Sequence, residues 1–349
     1  MVAKKLMMTL EQLLGIDLPV IQAPMAGVQD SALTIAVSNA GGLGSLPAAM
    51  LDLASLHSEL VSISTHTNRP YNVNFFCHVP DALREARWRE ALTPYYAELG
   101  VDPAKIPAAS GRIPFTHDAA DVLEAFKPAV LSFHFGLPEA GLLARVKSWG
   151  SKILSSATTV EEGLWLEAHG ADAVIAQGLE AGGHRGLFLT TDLTTQLDTM
   201  ALLPQMVGAV RVPVIASGGI ADTQGVRAAL TLGAAGVQVG TAYMLCPEAI
   251  TSPLHRAALK SDRARHTALT NLITGRPARG ILNRLMQELG PLSDAPPAFP
   301  LASAAIAPLK AAAEKLGRDD FSTLWSGQNA SGCREIPAAE LTRLLAAHT

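Results

Sequence analysis

Residues 177–186 read Gln-Gly-Leu-Glu-Ala-Gly-Gly-His-Arg-Gly, which sets one histidine, His184, among Gly182, Gly183 and Gly186. Glycines on both sides permit backbone angles that other residues avoid, so an imidazole there can be held close to a bound planar ligand. A neutral imidazole is also the usual general base near neutral pH. His184 is therefore the first catalytic candidate. His134, in Ser-Phe-His-Phe-Gly136, ends an apolar run, and both a catalytic and a packed, hydrogen-bonded role fit it. His78 lies just past another such run, whereas His57, His66 and His169 fall in helical stretches and read as surface or core residues.

Two polar amides, Asn74 and Gln177, end otherwise apolar runs. An amide offers both a donor and an acceptor, which matches the alternating edge of a heterocycle such as a flavin pyrimidine ring; tying neighbouring loops together is the competing role. Ser217-Gly218-Gly219 and Gln238-Val-Gly240-Thr241 each follow a predicted strand. Adjacent glycines let backbone amides approach an anion, and a helix N-terminus adds positive character, so a phosphate fits there. Ala23-Pro24-Met25 closes the first strand on the same side. Arg276, Arg279 and Arg284 cluster in Thr-Gly-Arg-Pro-Ala-Arg-Gly280 and just beyond. Arginine can clamp a carboxylate or phosphate, but the preferred reading is a solvated patch or ion pairs with the rest of the chain. Metal-ligand spacings, a G-x-S-x-G elbow and a P-loop are all missing.

The elements that position these residues alternate regularly. Strands are predicted near Val20–Met25, Gly42–Leu46, Tyr71–Phe76, Ala129–Phe135, Lys152–Ala157, Ala173–Gln177, Val212–Ala216 and Gly236–Gly240. Their near-continuous apolar character is that of parallel strands covered on both faces. Helices are predicted near Ser31–Asn39, Asp52–Ser64, Ala82–Glu98, Asp118–Phe126, Glu139–Trp149, Val160–His169, Asp198–Val210 and Thr223–Leu232, the last capped by Asp222 or Thr223. Eight of each predicts an α/β fold, a closed (β/α)8 TIM-type barrel. A doubly wound sheet would want G-x-G-x-x-G after the first strand, where Pro24 stands instead. The rhythm ends near Pro247, so residues 1–247 are expected to form the barrel and 248–349 a mainly helical appendage closing over its mouth. In such barrels function gathers on the loops at the strand C-termini, which is where the histidine, amide and glycine candidates of residues 1–247 fall.

Composition narrows the partners. A net charge of −4 with only 17% charged residues gives no basic face for nucleic acid. The three cysteines, Cys77, Cys246 and Cys333, are far apart, which argues against a disulfide scaffold and suits a reducing compartment. Without a signal-like or membrane-spanning apolar run, a cytoplasmic monomer or homodimer with no membrane partner is expected.

At these residues the chain resembles the nitronate monooxygenases of the bacterial class I type, formerly called 2-nitropropane dioxygenases. The resemblance runs over essentially the whole chain: Gln22-Ala-Pro-Met, Val-Ser-Asn-Ala-Gly-Gly-Leu-Gly44, Asn-Val-Asn-Phe-Phe-Cys-His78, Ser-Phe-His-Phe-Gly136, Glu-Ala-Gly-Gly-His-Arg-Gly186, Ala-Ser-Gly-Gly-Ile220 and Gly-Arg-Pro-Ala-Arg-Gly280. The Gly-Gly-His and Phe-His-Phe-Gly elements together make it specific. It implies non-covalent FMN at the barrel mouth. The contacts would be Ala23, Pro24, Met25, Asn74, Gln177, Gly182, Gly183, Gly218, Gly219, Gln238, Gly240 and Thr241, with the phosphate at Gly219 and Gly240-Thr241. His184, with His134 beside it, would serve as base for a nitroalkane or as electrostatic partner of a nitronate. The reaction implied is oxidation of alkyl nitronates of the propionate 3-nitronate type by O2, through a flavin semiquinone and without NAD(P)H, to a carbonyl compound and nitrite. The alternatives are an NAD(P)H-dependent FMN reductase acting on quinones or enoyl thioesters, and a barrel that binds FMN or a phosphorylated ligand without turnover. One departure stands out: relatives place tyrosines and a lysine on the substrate side, and the stretches here, Ala108–Phe115 and Ala298–Lys310, contain no tyrosine.

Overall fold

A computed structural model describes residues 8–79, 86–106 and 112–347. The barrel strands are β1 (Val20–Gln22), β2 (Gly44–Pro47), β3 (Tyr71–Phe76), β4 (Val130–His134), β5 (Lys152–Ala157) and β6 (Ala173–Gln177). After a short strand β7 (Gly183–His184) that lies outside the barrel come β8 (Val214–Ser217) and β9 (Gly236–Val239). The eight barrel strands form one parallel sheet in the order β1-β9-β8-β6-β5-β4-β3-β2. Its two edges meet: the Gln22 amide donates to the Leu43 carbonyl at 2.9 Å and the Leu43 amide to the Val20 carbonyl at 2.9 Å, closing a (β/α)8 barrel.

Alternation along each strand divides the side chains. Val73, Leu131 and Phe133 point outward into one helix-facing core, and Val174, Ala216 and Val237 into another. Inside, the N-terminal end of the barrel is plugged by Leu10 and Leu14 of helix α1 (Leu10–Leu14), packed on Ile21, Leu43, Val130, Leu154, Ile175 and Ile215. Each such buried aliphatic is worth roughly 1.5–3 kcal/mol. The C-terminal end of the interior is polar, carrying Asn74, Ser132, Ser156, Gln177, Ser217 and Gln238. The fold thus seals one end with hydrocarbon and leaves the other as a cavity.

The helices on the barrel wall are α2 (Ser31–Asn39) and α3 (Leu53–His66), then, after α4 (Ala86–Leu99), α5 (His117–Glu124), α6 (Ala140–Ser148), α7 (Val160–Ala168), α8 (Thr199–Ala209) and α9 (Thr223–Thr231). Side-chain oxygens of Asp52, Thr116, Thr159, Asp198 and Asp222 cap five of these by accepting from amides of the first turn. Two features differ from the sequence expectation. The helix expected over Ala82–Glu98, whose first residues lie outside the described ones, is α4, and it does not join the barrel wall. Its Trp88, Leu92, Tyr95 and Tyr96 pack instead on Ala302, Ala305, Ile306 and Leu309 of α12 (Ala302–Lys315). Tyr96 donates to the Ala305 carbonyl at 2.8 Å. The missing wall helix is the last one, α13 (Ala338–Leu345), whose Leu341 and Leu345 enter the barrel's outer core between α2 and α9.

The segment after Pro247 was expected to be helical, and it holds α10 (Pro253–Leu259), α11 (Arg284–Leu289), α12 and α13. It also carries a hairpin, β10 (Thr267–Thr270) with β11 (Ala278–Ile281), and β11 pairs antiparallel with β7 of the glycine-rich loop. The strand signal was hidden because Arg279 and Gly280 interrupt the apolar pattern, and half of the pairing lies about a hundred residues away. No helix among the described residues is long and apolar enough to cross a membrane.

Candidate active site

The structure brings all fourteen sequence candidates to a single cavity of about 1310 Å3, open solvent at its mouth included. His134 and His184 line it together with Ala23, Pro24, Met25, Asn74, Gln177, Gly182, Gly183, Gly218, Gly219, Gln238, Gly240 and Thr241.

His184 is held by pairing of β7 with β11, and its Nε2 lies 3.0 Å from Thr274 Oγ1. The Thr274 hydroxyl proton is directed to the Arg276 carbonyl at 3.3 Å, so Thr274 Oγ1 accepts from His184 Nε2–H. Nδ1 of His184 is then the bare lone pair. The ring is boxed by Phe76, Phe135, Phe299 and Trp325, with centroids 5.3–6.1 Å away. Burial, reinforced by the positive charges of Arg112 and Arg276, pushes its pKa well below the ordinary imidazole value. His184 is neutral at pH 7.

His134 and Gln177 converge on the backbone of that same residue. The His184 carbonyl lies 3.1 Å from His134 Nε2 and 3.0 Å from Gln177 Nε2, both donating to it, while Gln177 Oε1 accepts from the Gly186 amide at 2.8 Å. Burial lowers the pKa of His134 to about 3. These contacts give His134 and Gln177 a loop-holding role at the cavity wall. Arg185, fully buried, donates to the carbonyls of Gln177 and Gly178 at 2.8 and 2.6 Å and to Gln196. His78 does not line the cavity; its Nε2 bonds the Arg112 carbonyl at 2.9 Å and its ring abuts Phe299.

The opposite side of the cavity is built to receive polar groups. Gly218 and Gly219 have φ of +122° and +70°, which favours glycine at both positions. The amides of Gly219, Ile220 and Gly240 donate no hydrogen bond among the described residues. The expected helix N-terminus after Gly219 is unavailable, however, because α9 begins at Thr223 and Asp222 already caps it. After Gly240 the 3-10 helix Thr241–Leu245 starts without a side-chain cap, so its first amides are free. Gln238 Oε1 is buried without a partner, and Asn74 donates its amide hydrogens to Ser132 Oγ at 2.9 Å and Ser132 O at 3.2 Å, which leaves Oδ1 for the cavity. Free amides at one end and unsatisfied amide oxygens on the floor fit a phosphorylated heterocycle such as FMN.

Several lining residues were not found from sequence. A strap from the C-terminal segment, Trp325, Ser326, Gly327 and Asn329, crosses the mouth. The Gly327 amide donates to Thr241 Oγ1 at 2.9 Å, and Asn329 Nδ2 to the Gly219 carbonyl at 3.0 Å. Gly182 is glycine because the strap passes so close: a Cβ there would lie 2.5 Å from the Gly327 nitrogen. The only local signal was the small, polar run Ser-Gly-Gln-Asn-Ala-Ser-Gly332. Arg112 also lines the cavity. The expectation for Arg276 and Arg279 is corrected. Neither is a solvated patch nor an ion pair: Arg276 stacks on Phe135 at 3.9 Å and bonds the Leu187 carbonyl, and Arg279 is buried and donates to the Leu179 carbonyl at 3.0 Å. Among the described residues, Arg284 alone of the three is ion-paired, to Glu98, Glu288 and Asp320. Of the tyrosine-free stretches, residues 108–111 lie outside the described ones, and Lys310 sits on α12 4.0 Å from Glu314, away from the cavity lining.

Residues 7–347 match the family model for nitronate monooxygenase. The chain belongs to the nitronate monooxygenase family. It is 43% identical to a nitronate monooxygenase of Pseudomonas aeruginosa over 340 residues, covering 96% of this chain and 97% of that one. It is also 43% identical to a nitronate monooxygenase of Paraburkholderia phytofirmans over 343 residues, with 95% and 92% covered. A solved nitroalkane oxidase from Streptomyces ansochromogenes superposes with a TM-score of 0.87 at 37% identity over 95% of each chain. Membership in this family makes the chain a flavin-dependent oxidoreductase acting on a small molecule, with a TIM-barrel core.

Proposed function

We propose that the cavity binds FMN and that the protein oxidises alkyl nitronates of the propionate 3-nitronate type with O2, giving a carbonyl compound and nitrite without NADH or NADPH. The observation that carries this reading is the union, in one cavity, of an anion cradle, an orphaned Gln238 oxygen and a neutral histidine set in an aromatic box. The twelve lining candidates other than His184 and His134 supply its contacts, with the phosphate at Gly219 and Gly240-Thr241. When bound, the flavin supplies the means of taking electrons from the nitronate and passing them to O2.

The remaining roles belong to the chain's own side chains. His184 presents Nδ1 toward the cavity, while Thr274 fixes its tautomer. Because its basicity is depressed, His184 is a poor base for an unionised nitroalkane, and the site favours substrate that arrives as the anion. The nearby charges of Arg112 and Arg276 add attraction for that anion. Phe76, Phe135, Phe299 and Trp325 exclude water around the reacting carbon. Residues 1–247 supply the flavin cradle in this scheme, and residues 248–349 close its mouth with Phe299 and the 325–329 strap.

The test is direct. The purified protein should be yellow, consume O2 with propionate 3-nitronate, and lose that turnover in His184→Ala while keeping its flavin. Unchanged turnover in that variant removes His184 from the reaction.

A further inference from the structure

Among the described residues, Arg112 is the one arginine that lines the cavity. Among the described residues its Nη1 is buried and has no hydrogen-bond partner, its Nη2 donates to the Met50 sulfur at 3.7 Å, and its guanidinium rests 5.4 Å from the Phe299 ring. No carboxylate lies within ion-pair distance of it among the described residues. A buried guanidinium donor without a partner, on a residue that lines a cavity, is costly unless a ligand completes it. Planar anions with two oxygens suit it best.

The barrel geometry says which part of a ligand that is. In the closed strand order, β8 lies opposite β3 and β9 opposite β4. The anion cradle follows β8 and β9, whereas Arg112 sits in the connection leaving β3, beside Phe299 and His184. A phosphate in the cradle is therefore across the barrel from Arg112. The cation near α12 cannot substitute, since Lys310 faces Glu314 outside the cavity.

We propose that Arg112 is a specificity-determining residue that binds a carboxylate at the end of the substrate remote from its nitronate carbon. The assignment rests on the nitronate-oxidising reading above. Recognition works by completing the open Nη1 donor while Phe299 holds the guanidinium plane. The enzyme then prefers a nitronate bearing a carboxylate over an isosteric neutral one.

The experiment compares propionate 3-nitronate with the nitronate of 3-nitropropionamide, which keeps the shape and removes the second charge, in the flavin-loaded wild type, Arg112→Gln and Arg112→Lys. Binding of malonate, followed by the flavin absorbance, runs in parallel. Arg112→Gln should lower kcat/KM for the carboxylate substrate about 10- to 100-fold, chiefly through KM. It should cost the amide substrate at least about fivefold less, the remaining loss being the guanidinium's general attraction for a nitronate anion. Arg112→Lys should recover part of the preference, and it keeps the test open if the Gln variant loses its flavin. Malonate affinity should fall in step with the carboxylate substrate. Equal losses on both substrates, or malonate binding unchanged in Arg112→Gln, would overturn the assignment. Turnover of neither nitronate by the wild type would sink the proposed reaction, and the malonate arm would still decide for or against Arg112.

Discussion

Replacing Thr274 by valine removes one hydroxyl and keeps the shape of the side chain. Thr274 is 1% exposed, so water cannot replace the oxygen that accepts from His184 Nε2–H. A buried donor left without its acceptor costs about 1–3 kcal/mol. The imidazole can escape that cost by moving its proton to Nδ1 or by rotating, and either change takes the lone pair away from the cavity. If His184 acts through Nδ1, the cost appears in the transition state, and kcat/KM falls by about 5- to 150-fold. The assay is O2 consumption with propionate 3-nitronate, with flavin content measured on each preparation. Thr274→Ser restores the hydroxyl and should recover most of the rate. The pH profile adds a separate readout: wild type should hold its rate well below pH 6.5, because the neutral imidazole persists there. Full activity in Thr274→Val, or a serine variant as impaired as the valine, would refute the tautomer assignment.

Other expectations follow from the same contacts. Gly182→Ala places a Cβ against the strap backbone, an overpacking cost of about 1–3 kcal/mol; weaker flavin retention and faster proteolysis near residue 327 should result, and unchanged retention would show that the strap yields freely. Gln238→Leu removes the orphaned oxygen and should weaken flavin binding by about tenfold, read by equilibrium dialysis; an unchanged affinity places the flavin edge elsewhere. Burial lowers His134 to about 3 and His255 to about 4, so between those values and 6.5 the unfolded chain binds more protons than the folded one. Stability is therefore full above pH 6.5 and falls as the pH drops, by on the order of 2 kcal/mol per histidine at pH 5. Melting curves from pH 7.5 to 5 check this, and a Tm that rises on acidification contradicts it.

The barrel was legible because its strands are short apolar runs whose ends carry the polar and glycine residues, so position along each strand already implied position around the mouth. Asn74, Gln177 and Gln238 could be placed that way. What escaped the sequence reading depends on contacts between distant segments. Trp88 and Tyr96 look like residues of a barrel helix until Ala302 and Ala305, more than two hundred positions later, are seen to cover them. The strap at 325–329 has no apolar period to announce it, and its place is set by Gly182, Thr241 and Gly219. Arg276 and Arg279 read as surface charges because arginine usually is exposed. Only the structure supplies the ring of Phe135 and the carbonyls of Leu187 and Leu179 that let Arg276 be half-buried and Arg279 buried.

The central claim is that electrons enter this site from a nitronate. An anaerobic titration of the flavin-loaded protein tests it most directly, with propionate 3-nitronate in one cuvette and NADH or NADPH in the others. The account predicts that the flavin is reduced promptly by the nitronate and stays oxidised with either nicotinamide. Rapid bleaching by NADH or NADPH, with no response to the nitronate, would contradict it.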